Sequence, residues 1–478
     1  MANYTYRIEQ FVGLDQSRDE SIIAPGYSPD AMNMDASDGS LAVTKGFSKR
    51  ISEPIPTVGR SRVNKLLYFR SAEAEIPMAI TGGYIYNYDA DEEEWTRAYS
   101  YTLVMEEGRN YSVLMTRIGT TDVMLIADGA NRILKFDGTS FELFGSSEGC
   151  SDVEVSYIAM FRNRLFAAGN YEYPNRLYYS KLPGGGRTIE DWGPDEDSTA
   201  VEGGHVEIGT TSGDPITALA AMSNQLLIFK KSSIYRLIGD RPGNFTVELI
   251  ASDTTPVSCT ATAVVKDVIY YVTKGGLHCF NGVSAAVMPD ASRIKRIMDG
   301  ADTSDTRLAV VGDRLYFTVR KDGVPRLIEY SLTERRYMQY GGFDAHDVIS
   351  LDGRLVMAVG TRYVETWGEG ESFDGEPIDA YWCTPLTDLG VKSAIKTMGE
   401  MYLRGEAVNG GRTQIEATVG GVTERRSIIL PKSLSEVAEL PLKNEGRTFK
   451  IRISNRAGSR FRIVGGLEMD IGIRKRTE

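Results

Sequence analysis

Apolar residues along this chain fall into short runs of four to eight, broken by polar turns. Ile216–Gly239, ITALAAMSNQLLIFKKSSIYRLIG, shows the pattern. Leu226-Leu227-Ile228-Phe229 is continuously apolar, Lys230-Lys231-Ser232-Ser233 is a polar turn, and Ile234–Ile238 is apolar again. Runs of this length, rich in β-branched or aromatic residues and bounded by turn residues, predict three short strands. The same unit recurs. Strands aligned on Leu226 occur upstream at Met78, Met124 and Leu165, and downstream at Ile269, Leu315 and Leu355. Each is preceded by an apolar strand (LLYF, SVLM, SYIAMF, ITALAAM, TATAVV, RLAVV, DVISL). Each is followed by an aromatic-bearing one (YIYNYD, RILKFDG, RLYYS, IYRLIG, LHCFNG, RLIEYS, YVETWG).

Successive anchors are 46, 41, 61, 43, 46 and 40 residues apart. A period of about 40–50 residues with four strands per unit predicts a β-propeller. Burial supplies the reason. One four-stranded sheet cannot cover both of its faces, whereas radial packing covers both and favours strands that are apolar on both sides. A series of β-sandwiches or a β-helix is the competing reading. The expected fold is all-β, with about seven four-stranded blades over residues 63–375 and a C-terminal β-sandwich-like domain. The gap of 61 implies an insertion of about fifteen to twenty residues in the third unit, which the composition places at 183–214.

Residues 1–62 do not fit the repeat. Phe11–Lys49 is dense in turn chemistry (Pro25-Gly26, Ser28-Pro29-Asp30, Ser37-Asp38-Gly39) and reads as an extended arm without a core of its own. Leu41-Ala42-Val43 and Gly46-Phe47 read as one strand near its end. The arm is expected to pack on the ring or on a neighbouring subunit, and part of it to pair with the last blade, whose edge would otherwise be open. Beyond residue 376 the strands lengthen and alternate, as in Phe449-Lys450-Ile451-Arg452-Ile453, which predicts half-buried antiparallel strands. Residues 376–478 are expected to form a separate domain ending in the basic tail Arg474-Lys475-Arg476.

Charge is uneven. Residues 376–478 carry 17 Lys or Arg against 13 Asp or Glu, a balance of +4; the other 375 carry 37 against 52, a balance of −15. An acidic propeller argues against sequence-specific nucleic-acid binding, which rests on phosphate neutralisation. It is compatible with DNA that must pass without sticking. The four cysteines (Cys150, Cys259, Cys279, Cys383) form no CxxC and read as free thiols. No N-terminal segment reads as a signal peptide, and no apolar run approaches a membrane span.

Candidate chemistry is sparse. The three histidines, His205, His278 and His346, lie far apart in sequence, without metal-ligand spacing. His278 reads as a core residue. There is no GxSxG elbow, and Gly184-Gly185-Gly186-Arg187-Thr188 lacks the spacing and lysine of a phosphate loop. The acidic stretch Asp89–Glu94 lacks the glycine and ligand alternation of a calcium loop and reads as a solvated turn. Neither an enzyme nor a cofactor is expected.

Several short motifs, in order along nearly the whole chain, resemble the tail nozzle or packaged-DNA stabilisation proteins of short-tailed bacteriophages. They are Phe11-Val12-Gly13, Ala24–Tyr27, Asp30–Met34, Gly39-Ser40-Leu41 and Lys45-Gly46-Phe47, then Ile158–Leu165, the Asn224–Gly239 hairpin, Trp382–Leu386 and Met398–Leu403. The resemblance implies a structural virion protein assembled in the host cytoplasm. It would close the portal-adaptor channel as a hexameric ring, retain packaged DNA and form part of the ejection conduit. Implied partners are further copies of the chain, the adaptor, tail fibres or spikes, double-stranded DNA without sequence specificity, and the host surface. The expected contact residues are Phe11, Pro25, Asn33 and Phe47 in the arm. In the insertion, which has no counterpart in the family, they are Trp192 and the acidic run Asp195-Glu196-Asp197, presented on a projecting polar loop whose base Ile189 and Trp192 are expected to pin to the blade. Two other classes remain open: a receptor- or carbohydrate-binding propeller, and a propeller glycosidase.

Overall fold

The structure, a computed structural model, describes residues 2–56, 62–100, 110–145, 154–195, 198–209, 213–360, 362–407, 412–431, 433–434, 436–456 and 458–474. Seven four-stranded antiparallel sheets follow one another along the chain. Blade 1 is Val63–Arg70, Glu75–Thr81, Tyr84–Asp89 and Glu94–Ser100; blade 2 is Ser112–Ile118, Thr121–Ala127, Leu134–Phe136 and Phe141–Leu143. Blade 3 is Tyr157–Phe161, Arg164–Ala168, Arg176–Tyr179 and Gly204–Glu207; blade 4 is Ile216–Ala221, Leu226–Lys230, Ser233–Ile238 and Thr246–Ser252. Blade 5 is Thr262–Val265, Val268–Thr273, Gly276–Phe280 and Ala285–Val287; blade 6 is Leu308–Val311, Arg314–Lys321, Val324–Ser331 and Arg336–Tyr340. Blade 7 takes Ala345–Leu351, Arg354–Val359 and Tyr363–Trp367, and its fourth strand is Phe47–Ile51 from the arm.

From blade 2 to blade 7 the first strands of neighbouring blades pack against one another; the first strand of blade 1 packs on that of blade 7 and on the second strand of blade 2. All seven anchor residues lie in second strands, between 0% and 2% exposed. Arg164–Ala168 and Leu226–Lys230 are buried at every position, as expected of strands covered on both faces. Tight turns join first and second strands. Arg162-Asn163 and Asp352-Gly353 have positive φ at both central residues (51° and 61°, 52° and 72°), the geometry that matches strand twist in a two-residue hairpin.

The arm closes the ring. Lys49 pairs with Glu365 and Phe47 with Trp367, so the third strand of the last blade has no open outer edge. Leu41–Val43 and Phe47–Ile51 are two strands in two different sheets, not one. The chain turns between them at Gly46, where a Cβ would lie 1.8 Å from the Ser372 carbonyl oxygen.

The C-terminal region is two packed sheets, and both are completed by the arm. In one, Phe461–Arg474 pairs along one edge with Ile395–Ala407 and along the other with Ala2–Ile8 and then Leu41–Val43, which Met34–Asp35 extends. In the other, Ala31–Met32 pairs with Tyr381–Cys383. Phe461–Arg474 changes partner, from Leu41–Val43 to Ala2–Ile8, at Gly465-Gly466. Only glycine fits there: both φ values are positive, and a Cβ on Gly466 would sit 1.6 Å from the Ile8 carbonyl oxygen. Tyr6 meets Phe449 edge-on at 5.3 Å, and Phe11 meets Trp382 at 5.5 Å. The arm packs on the ring and on the sandwich of its own chain, so the expected separate C-terminal domain is a sandwich of both chain ends.

This pairing also redistributes charge. Residues 1–44 carry two Lys or Arg and seven Asp or Glu, which turns the +4 of residues 376–478 into −1 for the joined sandwich. Asp38 pairs with Arg462 at 2.7 Å and Glu20 with Lys450 at 3.0 Å.

Candidate functional site

The inner strands bring polar residues together at one end of the propeller axis. Arg307 precedes the inner strand of blade 6 and is 3% exposed. Its guanidinium donates to Asn110 Oδ1 before blade 2, to Thr260 Oγ1 before blade 5 (2.9 Å) and to the Asn64 carbonyl of blade 1 (3.3 Å), and it pairs with Asp305 at 2.7 Å. Asp347 of blade 7 is fully buried, accepts from Lys65 Nζ and the Leu66 amide (2.7 Å), and lies 3.6 Å from Arg307 Nε. Blades 6 and 2 are not neighbours in the ring, so a contact between them crosses its centre. The axial opening is therefore filled by side chains at this end. An extended ligand entering along the axis would have to break this network, at a cost of several kcal/mol for each unpaired buried charge.

The expected contact residues of the arm occupy a different place: the junction of arm, ring and sandwich. Asn33, 3% exposed with φ 55°, donates to the Gly341 and Asp379 carbonyls (3.0 and 2.8 Å) and accepts from the Gly341 amide (2.9 Å). One side chain thus ties blade 6 to the sandwich. Phe47 is 3% exposed and stacks on Phe373 at 5.0 Å, with Phe343 edge-on at 5.1 Å. Phe11 is 1% exposed against Trp382. These three are corrected from surface contacts to internal ones, because each is buried by the chain's own strands. Pro25 alone of the four is exposed, in the turn closed by the Tyr27 amide on the Ala24 carbonyl (3.0 Å).

The insertion is also corrected. It leaves blade 3 after Arg176–Tyr179 and returns as Gly204–Glu207, which is the blade's outer strand. Ile189 (3% exposed) and Trp192 (4%) fill the gap between blades 2 and 3 together with Leu125, Ile133, Leu165 and Tyr178. The fully buried Arg164 donates to the carbonyls of Ser180 (2.6 Å), Ala200 (2.7 Å) and Glu202 (2.7 Å), gathering both ends of the loop. Asp195 pairs with Lys181 and Arg187 at 3.5 and 3.6 Å; Glu196 and Asp197 lie outside the described residues. The loop folds back on the ring instead of projecting. Ile189 and Trp192 are anchors as expected; the fold-back is not legible in the composition because the loop's buried polar ends are satisfied by an arginine that lies outside it.

A cleft of about 290 Å³ opens between blades 6 and 7 beside the axial network. Two of its charge pairs are direct: Arg62 with Asp305 at 2.7 Å, and Arg320 with both oxygens of Asp344 at 2.8 and 2.9 Å; Asp302, which accepts from the Ser304 hydroxyl at 2.7 Å, and Arg326 line it as well. Burial holds His346 below the usual imidazole range despite Asp344. His278 stacks on Tyr271 at 5.1 Å, bonds Thr273 Oγ1 at 2.9 Å, and is pushed down to about 4 by burial. His205 is in the outer strand of blade 3. Among the described residues no His, Cys, Asp and Glu cluster has metal-binding geometry, and no helix is long and apolar enough to cross a membrane. Asp89 Oδ1 caps the amides of Asp91 and Glu92 in the exposed turn of blade 1. Cys259, Cys279 and Cys383 are free thiols; Cys150 lies outside the described residues.

Together these features define a seven-bladed β-propeller closed by its N-terminal arm and joined to a β-sandwich made from both chain ends. No family model matches the chain, and no curated protein matches it by sequence. Among solved structures it is similar to PorZ, a surface component of the type-IX secretion system of Porphyromonas gingivalis, with a TM-score of 0.39 and 13% identity, covering 72% of this chain and 44% of that one. It is similar also to the extracellular domain of a one-component system protein from B. thetaiotaomicron (TM-score 0.40, 11% identity, 67% and 40% covered). A chain of the mitotic checkpoint complex is a third (0.39, 11%, 68% and 94%). The chain spans less than half the length of the first two. At these scores the likenesses carry no argument about function.

Proposed function

We propose that the chain is a structural protein of a bacteriophage tail. Copies of it form a ring beneath the portal and adaptor, hold packaged DNA and enclose part of the ejection conduit. The observation that carries this reading is where the family-like motifs meet. Phe11, Asn33, Phe47 and Trp382 come from separate motifs, and all four are buried at the junction that locks propeller to sandwich. A part that must resist the load of packaged DNA needs such coupling, because two domains joined only by a linker move independently. In this reading the conduit is the space enclosed by several copies, since side chains fill the axis of the single propeller at one end. An acidic wall would repel DNA and keep it from adhering during passage. The role is non-catalytic.

Mass photometry and negative-stain class averages of the purified chain, alone and with the portal and adaptor proteins of its own particle, test this. A closed ring of about six copies seated on the adaptor is expected. A chain that stays monomeric and does not bind the adaptor at micromolar concentrations would overturn the proposal.

A further inference from the structure

We propose that a second cleft, between blade 6 and the sandwich, binds a phosphate-bearing ligand through Arg326 and Arg452. The cleft measures about 480 Å³, within the range of small-molecule sites. Arg326 comes from Val324–Ser331 of blade 6 and Arg452 from Phe449–Asn455 of the sandwich, so each domain supplies one guanidinium.

Neither arginine forms an ion pair among the described residues. Arg326 reaches only Gln339 Oε1 at 3.5 Å and Met32 Sδ at 3.7 Å. Arg452 lies over the Tyr381 ring, 3.7 Å from its centroid, and touches the Cys383 thiol. The Tyr381 hydroxyl is held in turn by Asp30 at 3.0 Å. Nearby arginines behave differently: Arg62, Arg314, Arg320 and Arg336 all pair with carboxylates. In a chain with 65 acidic and 54 basic residues, carboxylates are not scarce, yet two guanidinium groups in one cavity are left without one. The single carboxylate on the wall is that of Asp379, which is exposed.

Stacking on an aromatic face leaves the in-plane N–H groups of Arg452 free and fixes their direction. Arginine's fork suits two oxygens of one anion. A carboxylate would neutralise only one of the two charges, whereas a phosphate monoester carries about −1.5 to −2 at neutral pH and matches both. The Ser454 hydroxyl on the same wall is a further donor. Because Asn33 bonds both domains, the two arginines are held before any ligand arrives, which lowers the ordering cost of binding.

The test uses the full chain, with calorimetry and thermal unfolding in inorganic phosphate, ribose 5-phosphate, acetate and a short DNA duplex at matched ionic strength. Saturable binding of phosphate and ribose 5-phosphate is expected, with a raised Tm, and none of acetate. The double variant Arg326→Gln/Arg452→Gln should bind at least tenfold more weakly. In the unmodified chain, phosphate should slow phenylglyoxal modification of Arg326 and Arg452 but not of the exposed Arg18, a readout that survives if the variant misfolds. Equal binding of acetate, binding of the duplex alone, undiminished binding by the variant, or modification rates indifferent to phosphate would each overturn the assignment.

Discussion

Glu365 sits on the seam that closes the ring, and replacing it with glutamine should stabilise that seam in a pH-dependent way. It faces Lys49 in the register of the closing strand, is 1% exposed, and its Oε2 has no hydrogen-bond partner. Lys49 gives its short contact to Asp374 instead, at 3.2 Å. Burial first, and the Asp374 charge second, push the Glu365 carboxyl up to about 7, against the pull of Lys49. The folded state therefore holds a proton that the unfolded chain, with an ordinary glutamate, releases near 4.5. Its stabilising effect is complete below that value and is lost as pH rises through about 7. A shift of this size corresponds to about 3 kcal/mol. Glu365→Gln should match the parent protein at pH 4.5 and exceed it by up to about 3 kcal/mol at pH 8. Hydrogen exchange of the Phe47–Ile51 amides reads the seam directly, without assuming that the whole chain unfolds in one step. An equal difference at both pH values, or a variant less protected at pH 8, would refute the reasoning.

Three further outcomes are expected. Trp192→Ala should cost about 3–5 kcal/mol locally by emptying the gap between blades 2 and 3, seen as faster proteolysis within 180–203 and a lower Tm; an unchanged Tm would return the loop to a surface role. Deleting residues 1–35 should prevent soluble folding of the isolated chain, because it strips the sandwich of Ala2–Ile8 and Ala31–Met32 and bares Trp382 and Phe449; a soluble, cooperatively melting truncation would count against this. His278 should remain uncharged by NMR down to about pH 4. Because its folded value lies below its unfolded one near 6.5, its contribution is intact above 6.5 and declines as pH falls towards 4. His278→Gln should flatten that part of the acid-stability curve.

The repeat was legible in the sequence because what makes a blade is local. An apolar second strand covered on both faces, a turn and an aromatic third strand lie within about 45 residues of one another, and the unit recurs at Met78, Leu226 and Leu355 whatever the rest of the chain does. The open edge of the last blade was legible for the same reason: a unit with three strands demands a fourth. The destinations of the arm were not. Ala31–Met32 and Met34–Asp35 are two-residue strands in different sheets, too short to carry a period; Ala31–Met32 pairs with Tyr381–Cys383, and Met34–Asp35 joins its sheet through Leu41–Val43, which pairs with Phe461–Arg474 at the far end of the chain. Charge misled in the same manner, since the basic C-terminal region is neutralised by carboxylates from the other end of the chain. Trp192 read as a contact residue of the insertion, but packing seats it in the core between blades 2 and 3, and Arg164, the first residue of its strand, gathers both ends of the loop. The axial network and the arginine-lined cleft each take residues from several blades or from both domains. Only ring closure sets their distances, and no local pattern records them.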